Sequence, residues 1–214
     1  MDFFTYLGGN YNDLLEQTLE HALIVLVSVA IGSVIGLALG VLTYRRPRQR
    51  TLVLSVTGVF LTIPSLALFS VMVSILGLGT QPVIIALTMY SLLPIVRNTV
   101  TGLLGVDQAV VESAQGMGMG RWQRLRRIEL PLAWPVILTG IRVSTMVLVG
   151  IAAIGAIVNG GGLGQDIFAA LARVGSPAAL NLALGAFFAI ILLGAVLDAL
   201  FLLLSRATTS RGIR

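Results

Sequence analysis

The chain has 214 residues, of which 57% are hydrophobic and 11% are charged, and it carries a formal net charge of +5. Soluble domains carry charge on about a quarter of their residues, so this composition excludes an ordinary soluble domain and indicates an integral membrane protein. All fourteen basic residues are arginine, and there is no cysteine. This sequence therefore cannot supply a P-loop lysine, a Schiff base, a disulfide or a thiolate metal site.

Five hydrophobic stretches are long enough to cross a membrane, which takes about 20 helical residues each. We expect all five to be helical, because backbone hydrogen bonds in lipid must be satisfied within the segment. The predicted fold is an all-α polytopic membrane domain that takes in the whole chain, with spans at residues 22–44, 52–76, 82–105, 136–158 and 180–204.

The region before the first span does not read as a cleavable signal peptide, because it is acidic and arginines follow its apolar run rather than precede it. Residues Phe3 to Glu20 predict either a short amphipathic helix at the outer interface or a partly ordered tail. In the helical alternative the residues expected to face lipid are Tyr6, Tyr11, Leu14, Leu15 and Leu19.

The first span begins near His21 and has glycine at every fourth position, at Gly32, Gly36 and Gly40. A glycine stripe of this kind indicates close packing against a neighbouring helix. The only histidine is expected to be structural rather than a proton carrier.

Arginine clusters next to the spans predict the orientation by the positive-inside rule. They place the first connection, the third connection and the C-terminal tail in the cytoplasm and the N-terminus outside, with only Arg173 on the outer side. Because the clusters flank hydrophobic spans, they do not indicate a nucleic-acid partner. The cytoplasmic arginines are Arg45, Arg46, Arg48, Arg50, Arg121, Arg124, Arg126, Arg127, Arg206, Arg211 and Arg214.

Two prolines lie inside spans, Pro64 in the second and Pro94 in the third. We expect each to interrupt its helix, since proline removes a backbone hydrogen bond. The freed backbone groups could line a pathway; helix packing explains the prolines equally well.

The third connection, residues 106–135, contains the polar sequence ESAQGMGMGRWQRLRRIELP from Glu112 to Pro131. It predicts two helical pieces joined by a sharp bend at three glycines, with the second piece ended by Leu130-Pro131 and Pro135. The glycines are Gly116, Gly118 and Gly120. The first piece should place Val110, Ala114 and Met117 on one face, and the second should align Trp122, Leu125 and Ile128 beside a basic face of Arg121, Arg124 and Arg127.

Methionine and tryptophan beside a tight bend are typical of a surface that docks into a groove on another protein. The alternative is a basic loop attracted to anionic lipid, worth about 1 kcal/mol per arginine. That alternative does not explain the glycines, Glu112 or the Leu-Pro pair.

Three charged residues fall inside spans: Arg97, Arg142 and Asp198. Each lies roughly 10–13 Å from the cytoplasmic end of its helix, at 1.5 Å per residue. Because such charges are costly in lipid, we predict that Asp198 pairs with Arg97 or Arg142 as a structural clasp. The alternative is that each arginine snorkels to the inner interface.

The outer loop, residues 159–179, opens with the glycine-rich segment Asn159 to Gly164. Its Asp166-to-Arg173 stretch predicts a short surface helix that receives a binding protein or gates the outer mouth; a plain flexible connection is the alternative. The sequence contains no carboxylate pair, metal-ligand cluster or nucleophile–base arrangement, so we expect no covalent catalysis and no cofactor bound by this chain.

The segment from Glu112 to Pro131 resembles the E-A-A loop of the membrane subunits of ABC importers, with Ser113 in place of the middle alanine. The resemblance implies that this loop contains a coupling helix, which fits a cleft of a separate ATPase and passes its closure to the membrane helices. The implied coupling residues are Glu112, Ser113, Ala114, Met117, Gly118, Met119, Arg121, Trp122, Ile128, Leu130 and Pro131.

The segments LTIPSLALF from Leu61, YSLLPIVRNTVTGL from Tyr90 and NGGGLGQDIF from Asn159 are similar to permeases of osmoprotectant importers, which take up glycine betaine, carnitine, choline or proline betaine. The resemblance implies the type I (MetI-like) permease fold. The implied pathway residues are Thr62, Pro64, Ser65, Tyr90, Pro94, Asn98 and Asn159.

The resemblance also implies the other subunits of the transporter. These are a second permease, a cytosolic ATPase dimer that holds ATP and Mg, and an extracytoplasmic binding protein. Solute would cross by alternating access. Alternatives are an ABC importer for amino acids or another small solute, a secondary transporter driven by an ion gradient, and a structural scaffold. The secondary transporter would need an acidic residue near mid-membrane, whereas Asp198 lies in the inner leaflet.

Overall fold

The computed structural model describes residues 3–208, except for the side chain of Pro177. The regular elements of the described part are all helices, which confirms the all-α prediction. A π-helical turn, Leu125–Glu129, precedes the helix Leu130–Ala152, and a 3-10 turn, Ala153–Val158, follows that helix. The helices are α1 (Phe3–Gly9), α2 (Tyr11–Thr43), α3 (Pro47–Thr62), α4 (Ser65–Leu76), α5 (Thr80–Leu104), α6 (Gln108–Gly116), α7 (Arg121–Arg124), α8 (Leu130–Ala152), α9 (Gly164–Ala172) and α10 (Pro177–Thr208).

Four helical segments in the described range are long and apolar enough to span a membrane: Tyr11–Thr43, Thr80–Leu104, Arg121–Val158 and Ala178–Thr208. The predicted second span, residues 52–76, is present only as the pair α3 and α4, which meet at an angle of 97°. The interruption predicted at Pro64 is therefore present, but it bends the element far from a straight span. Ile63 takes an extended backbone (φ −74°, ψ 127°), as expected of a residue before proline.

The prediction that Pro94 interrupts the third span is wrong, because α5 is continuous from Thr80 to Leu104. This helix is the centre of the bundle and packs against both α2 and α8, and that packing holds it helical through the proline. The Asn98 amide donates to the Pro94 carbonyl at 2.8 Å.

The predicted stop at Leu130-Pro131 and Pro135 is also wrong, since one continuous helix runs from Arg121 to Val158. In the π-helical turn the Leu130 N–H bonds to the Leu125 carbonyl. Pro131 follows this turn directly, and the turn accommodates a residue that cannot donate the usual backbone hydrogen bond. Pro135 lies inside α8 without ending it.

The N-terminal region differs from both alternatives, because residues from Tyr11 onward belong to the 33-residue helix α2. No proline interrupts the sequence between Tyr11 and Thr43, so the helix continues into the first span. Tyr6 and Leu14, which we expected to face lipid, are buried and pack with Leu163. The other three apolar residues of the predicted face, Tyr11, Leu15 and Leu19, are exposed.

The glycine stripe of α2 is the contact surface for α5. Gly32 faces Ser91, Gly36 faces Ile95 and Gly40 faces Thr99. A β-carbon on Gly36 would lie 2.7 Å from the Ile95 Cγ2 atom, closer than van der Waals contact allows. The two helix backbones approach closely because α2 has no side chains along this face.

We expect Gly36→Ala to lower the free energy of unfolding by about 1–3 kcal/mol, the usual cost of overpacking. Gly58→Ala on α3 is the matched control, because no atom lies within 4 Å of its added β-carbon and alanine is the better helix former by about 1 kcal/mol. Thermal unfolding in detergent compares the two proteins. Equal stability of both variants would contradict the tight α2–α5 contact.

Candidate functional site

The structure brings the arginine-rich parts of the chain to one end of the bundle, which we call the arginine-rich end. The first connection reaches the third through an ion pair between Arg45 and Glu129, at 2.7 Å. The end of α10 joins them through a hydrogen bond from Trp134 to Thr208, at 2.9 Å. Arg211 and Arg214 lie outside the described residues.

The coupling segment, defined here as Gln108–Arg124, consists of α6, a tight turn and α7. Asp107 caps α6 by accepting a hydrogen bond from the Ala109 N–H at 2.8 Å. The chain then reverses at Gly118, whose φ of +81° favours glycine. Of the three glycines predicted to form the bend, only this one needs a left-handed backbone, because Gly116 belongs to α6 and Gly120 has φ −63°.

Two large apolar side chains of the coupling segment face outward, one on each side of the turn. Met117 and Trp122 are each 70% exposed. The buried face of α6 is formed by Val111 and Ala114, whereas Val110 and Met117, predicted to share a face with Ala114, are exposed. Met117 lies past the last helical turn and is free to point away from the bundle.

The other implied coupling residues divide between the surface and the bundle. Glu112 is exposed and accepts from the Gln108 amide at 3.1 Å, and the exposed Ser113 hydroxyl donates to the Ala109 carbonyl at 2.7 Å. Arg121 and Pro131 are exposed, whereas Met119, Ile128 and Leu130 are half-buried.

The predicted basic face and apolar row of the second piece are wrong in detail. Arg124 is buried and bonds to Glu129 at 2.9 Å, so only Arg121 and Arg127 remain exposed on that face. Leu125 is buried while Trp122 is not, so the apolar row does not form one surface.

Glu129 is a buried, charged residue of this end that the sequence reasoning missed. Its side chain is 2% exposed and accepts three hydrogen bonds, from Arg124 Nε at 2.9 Å, Arg45 Nη2 at 2.7 Å and Tyr44 Oη at 2.8 Å. Burial, followed by the hydrogen bond to Glu129, raises the pKa of the Tyr44 phenol, so this group remains a donor. In the sequence, Glu129 is a single acidic residue next to an apolar helix. Its partners Arg45 and Tyr44 lie 84 and 85 residues away, so the contacts could not be predicted from the sequence.

The implied pathway residues do not form a single site. Tyr90 donates its hydroxyl to the Ile63 carbonyl at 2.8 Å, which brings it to the bend between α3 and α4, beside Thr62, Pro64 and Ser65. Asn159 lies next to the start of α5, because the Gly79 N–H bonds to the Val158 carbonyl. That position is roughly 15 Å from Tyr90 along the helix, at 1.5 Å per residue. Pro94 and Asn98, both half-buried, follow Tyr90 toward the arginine-rich end.

Asp198 pairs with Arg142 rather than with Arg97. The contact is bidentate, with Arg142 Nε 2.6 Å from Oδ1 and Nη2 2.7 Å from Oδ2, and it joins α8 to α10. Arg97 is exposed, and it contacts no carboxylate within residues 3–208.

At the opposite end of the bundle, α9 begins two residues earlier than the predicted surface helix. The loop before it is tied to α2, since Glu20 accepts from the Gly162 N–H at 2.7 Å and the Gln17 amide donates to Asp166 at 3.2 Å. His21 is buried and its Nε2 lies 3.0 Å from the Val149 carbonyl, which is a structural contact. Within the described range no cluster of three or more metal-ligating side chains is found.

The chain matches known transport proteins over nearly its whole length. Residues 32–210 match the family described as binding-protein-dependent transport system inner membrane component. The chain is 37% identical over 210 residues to the glycine betaine/carnitine/choline transport system permease protein OpuCB of Bacillus subtilis, covering 98% of this chain and 95% of that protein. It is 38% identical to the osmoprotectant import permease protein OsmW of Salmonella typhimurium, over the full length of both.

A solved structure has the same fold. A chain of the inward-facing MetNI methionine ABC transporter superposes with a TM-score of 0.81 at 27% identity, covering 92% of this chain and 96% of that chain. The predicted MetI-like fold and the resemblance to ABC importer permeases are therefore confirmed. The chain belongs to the family of binding-protein-dependent transport system inner membrane components.

Proposed function

We propose that this chain is the membrane-spanning permease subunit of an ATP-driven importer for osmoprotectants such as glycine betaine, carnitine, choline or proline betaine. The arginine-rich end then faces the cytoplasm, with the N-terminus outside and the C-terminus inside, in line with the positive-inside rule. The working unit contains two permeases, which are identical or related, two ATPases and an extracytoplasmic binding protein.

The observation that carries this proposal is the exposed coupling segment. Met117 and Trp122 present apolar surface to solvent at the end of the bundle opposite α9, and the turn at Gly118 holds them on either side of a tight bend. Large exposed apolar residues of this kind mark protein–protein contacts. We assign this contact to the ATPase, which carries ATP and Mg, because a lysine-free chain cannot form a P-loop.

The substrate class follows from the relatives. OpuCB and OsmW are named for glycine betaine, carnitine, choline and osmoprotectants at 37–38% identity. The methionine transporter is less similar, at 27% identity, so an osmoprotectant is favoured over an amino acid.

The bend between α3 and α4 is the best candidate for the gated part of the pathway. Tyr90 fixes this bend to α5 through the Ile63 carbonyl, and Thr62 and Pro64 are exposed there. A second permease facing this surface would enclose the pathway, and alternating access would open it to either side. The Arg142–Asp198 pair serves as a structural clasp between α8 and α10.

Co-purification tests the proposal directly. A tagged chain, extracted in mild detergent from cells that also express the ABC ATPase of the same genome, should recover that ATPase in a ratio of one to one. ATPase activity should accompany the complex. Recovery of the folded chain without any P-loop protein would contradict the proposal and favour a secondary transporter or a scaffold.

A further inference from the structure

We propose that Glu129 latches the coupling segment to the end of α2, so that motion received from an ATPase moves α2, α8 and the coupling segment as one body. The inference deepens the proposed function and rests on it. Glu129 stands between Ile128 and Leu130, at a position that the E-A-A resemblance leaves unspecified. Its role is one of positioning.

The geometry of the latch joins two parts of the chain that are distant in sequence. Arg124 reaches Glu129 from the coupling segment, while Tyr44 and Arg45 reach it from the end of α2. Arg124 also extends its Nη1 toward Gln115 Oε1 at 3.5 Å. A continuous line of polar contacts therefore runs from α6 to α2 through one carboxylate.

Apolar packing between α6 and the end of α2 is incomplete. A cavity of about 230 Å³ lies beside the latch, between α6 and the end of α2. It is lined by Leu103, Val111 and Gln115 as well as by the latch residues. The polar line from Gln115 through Arg124 and Glu129 bridges this gap between α6 and the end of α2.

The burial of its central carboxylate makes the latch a strong contact. Charge-assisted hydrogen bonds are about twice as strong as neutral ones, and they are strongest when shielded from water. The carboxylate and Arg124 are both nearly inaccessible, at 2% and 7% side-chain exposure. Without Tyr44 and Arg45 the carboxylate would still be paired with Arg124, but it would no longer tie the coupling segment to the end of α2.

The consequence of breaking the latch is uncoupling. Closure of the ATPase would then move the coupling segment by itself, and ATP would be hydrolysed without full movement of α2 and α8. Coupling free energies between sites usually correspond to roughly 5- to 150-fold effects. We therefore expect solute transported per ATP to fall about fivefold or more.

The test uses the assembled complex and a variant that spares the coupling segment. Tyr44→Phe with Arg45→Gln removes the α2 side of the latch and leaves Glu129 paired with Arg124. Arg48→Gln is the matched control, since Arg48 is exposed on the same connection and does not contact Glu129. Glu129→Gln should reproduce the loss of coupling, and Glu129→Asp should restore part of it.

A distance measurement separates the latch from transport itself. The chain has no cysteine, so spin labels can be placed at Val34→Cys on α2 and Gln123→Cys on α7, both exposed positions. Pulsed electron resonance should give one narrow distance that is unchanged when ATP binds. In the Tyr44→Phe, Arg45→Gln variant the distribution should broaden or shift with nucleotide, while Arg48→Gln behaves as wild type.

The latch would be overturned if the double variant kept both the wild-type distances and the wild-type transport per ATP. It would also be overturned if Glu129→Gln prevented folding while the double variant remained fully coupled, because the carboxylate would then serve folding alone. Failure of the wild-type complex to transport any osmoprotectant would instead contradict the proposed function, and the label distances would still decide on the latch.

Discussion

Replacing Met117 and Trp122 together with alanine is expected to detach the ATPase while leaving the permease folded. Both side chains are 70% exposed, so their loss removes almost no internal packing, and surface substitutions usually change stability by less than about 0.5 kcal/mol. In a docked complex the same side chains would be anchors. Truncating interface anchors of this kind costs about 2–4 kcal/mol, which corresponds to roughly 30- to 1,000-fold in the dissociation constant.

The measurement is ATPase binding to the purified permease in detergent, with thermal unfolding of the permease alone as the check on folding. Val174→Ala is the matched control, because Val174 is 79% exposed at the opposite end, beside α9. Unchanged ATPase affinity in the Met117, Trp122 variant would show that the exposed segment is not the docking surface. A drop in permease stability would show that these side chains pack within the subunit.

Asp198→Asn is expected to reduce the yield of folded permease in the membrane severely. Arg142 holds both oxygens of Asp198, and the substitution would leave its guanidinium without a counter-ion inside a span, where an unpaired charge is costly. Arg142→Gln should also reduce the yield, because it leaves the Asp198 carboxylate without a counter-ion inside the span. Detergent-extracted monodisperse protein, measured by fluorescence-detected size exclusion, reports the loss.

A double variant distinguishes a structural clasp from a solute site. Replacing an ion pair with apolar residues is often neutral or stabilising, so Arg142→Met combined with Asp198→Leu should recover both folding and transport. Arg97→Gln is the control, since Arg97 contacts no carboxylate in the described part of the chain, and it should not reduce the yield. Recovery of folding without recovery of transport in the double variant would place the pair in the pathway and contradict the structural role.

The local sequence predicted the shape of the coupling segment well, but it did not predict the contacts that attach this segment to the rest of the bundle. The elbow follows from Gly118 alone, because a left-handed backbone is a local property that glycine permits. The exposure of Trp122 likewise agrees with a polar, arginine-rich context. Glu129 could not be recognised, since its partners Tyr44 and Arg45 come from the end of α2 and are distant in the sequence.

The prolines show why helix breaks were only partly predictable. Pro64 lies where α3 and α4 have open space around the bend, and the chain turns by 97°. Pro94 lies in α5 between α2 and α8, and tertiary packing keeps that helix continuous. Pro131 is accommodated by the π-helical turn before it. A proline removes one backbone hydrogen bond from a helix, but the surrounding packing determines whether the helix ends there.

The central claim is that ATP hydrolysed by a partner drives solute through this chain. Uptake of labelled glycine betaine into proteoliposomes, containing the permease and ATPase with binding protein on the outer side, measures this most directly. The account predicts accumulation that requires ATP inside the vesicles and is insensitive to ionophores that collapse ion gradients. Uptake that persists without ATP and stops when the ion gradient is collapsed would contradict it.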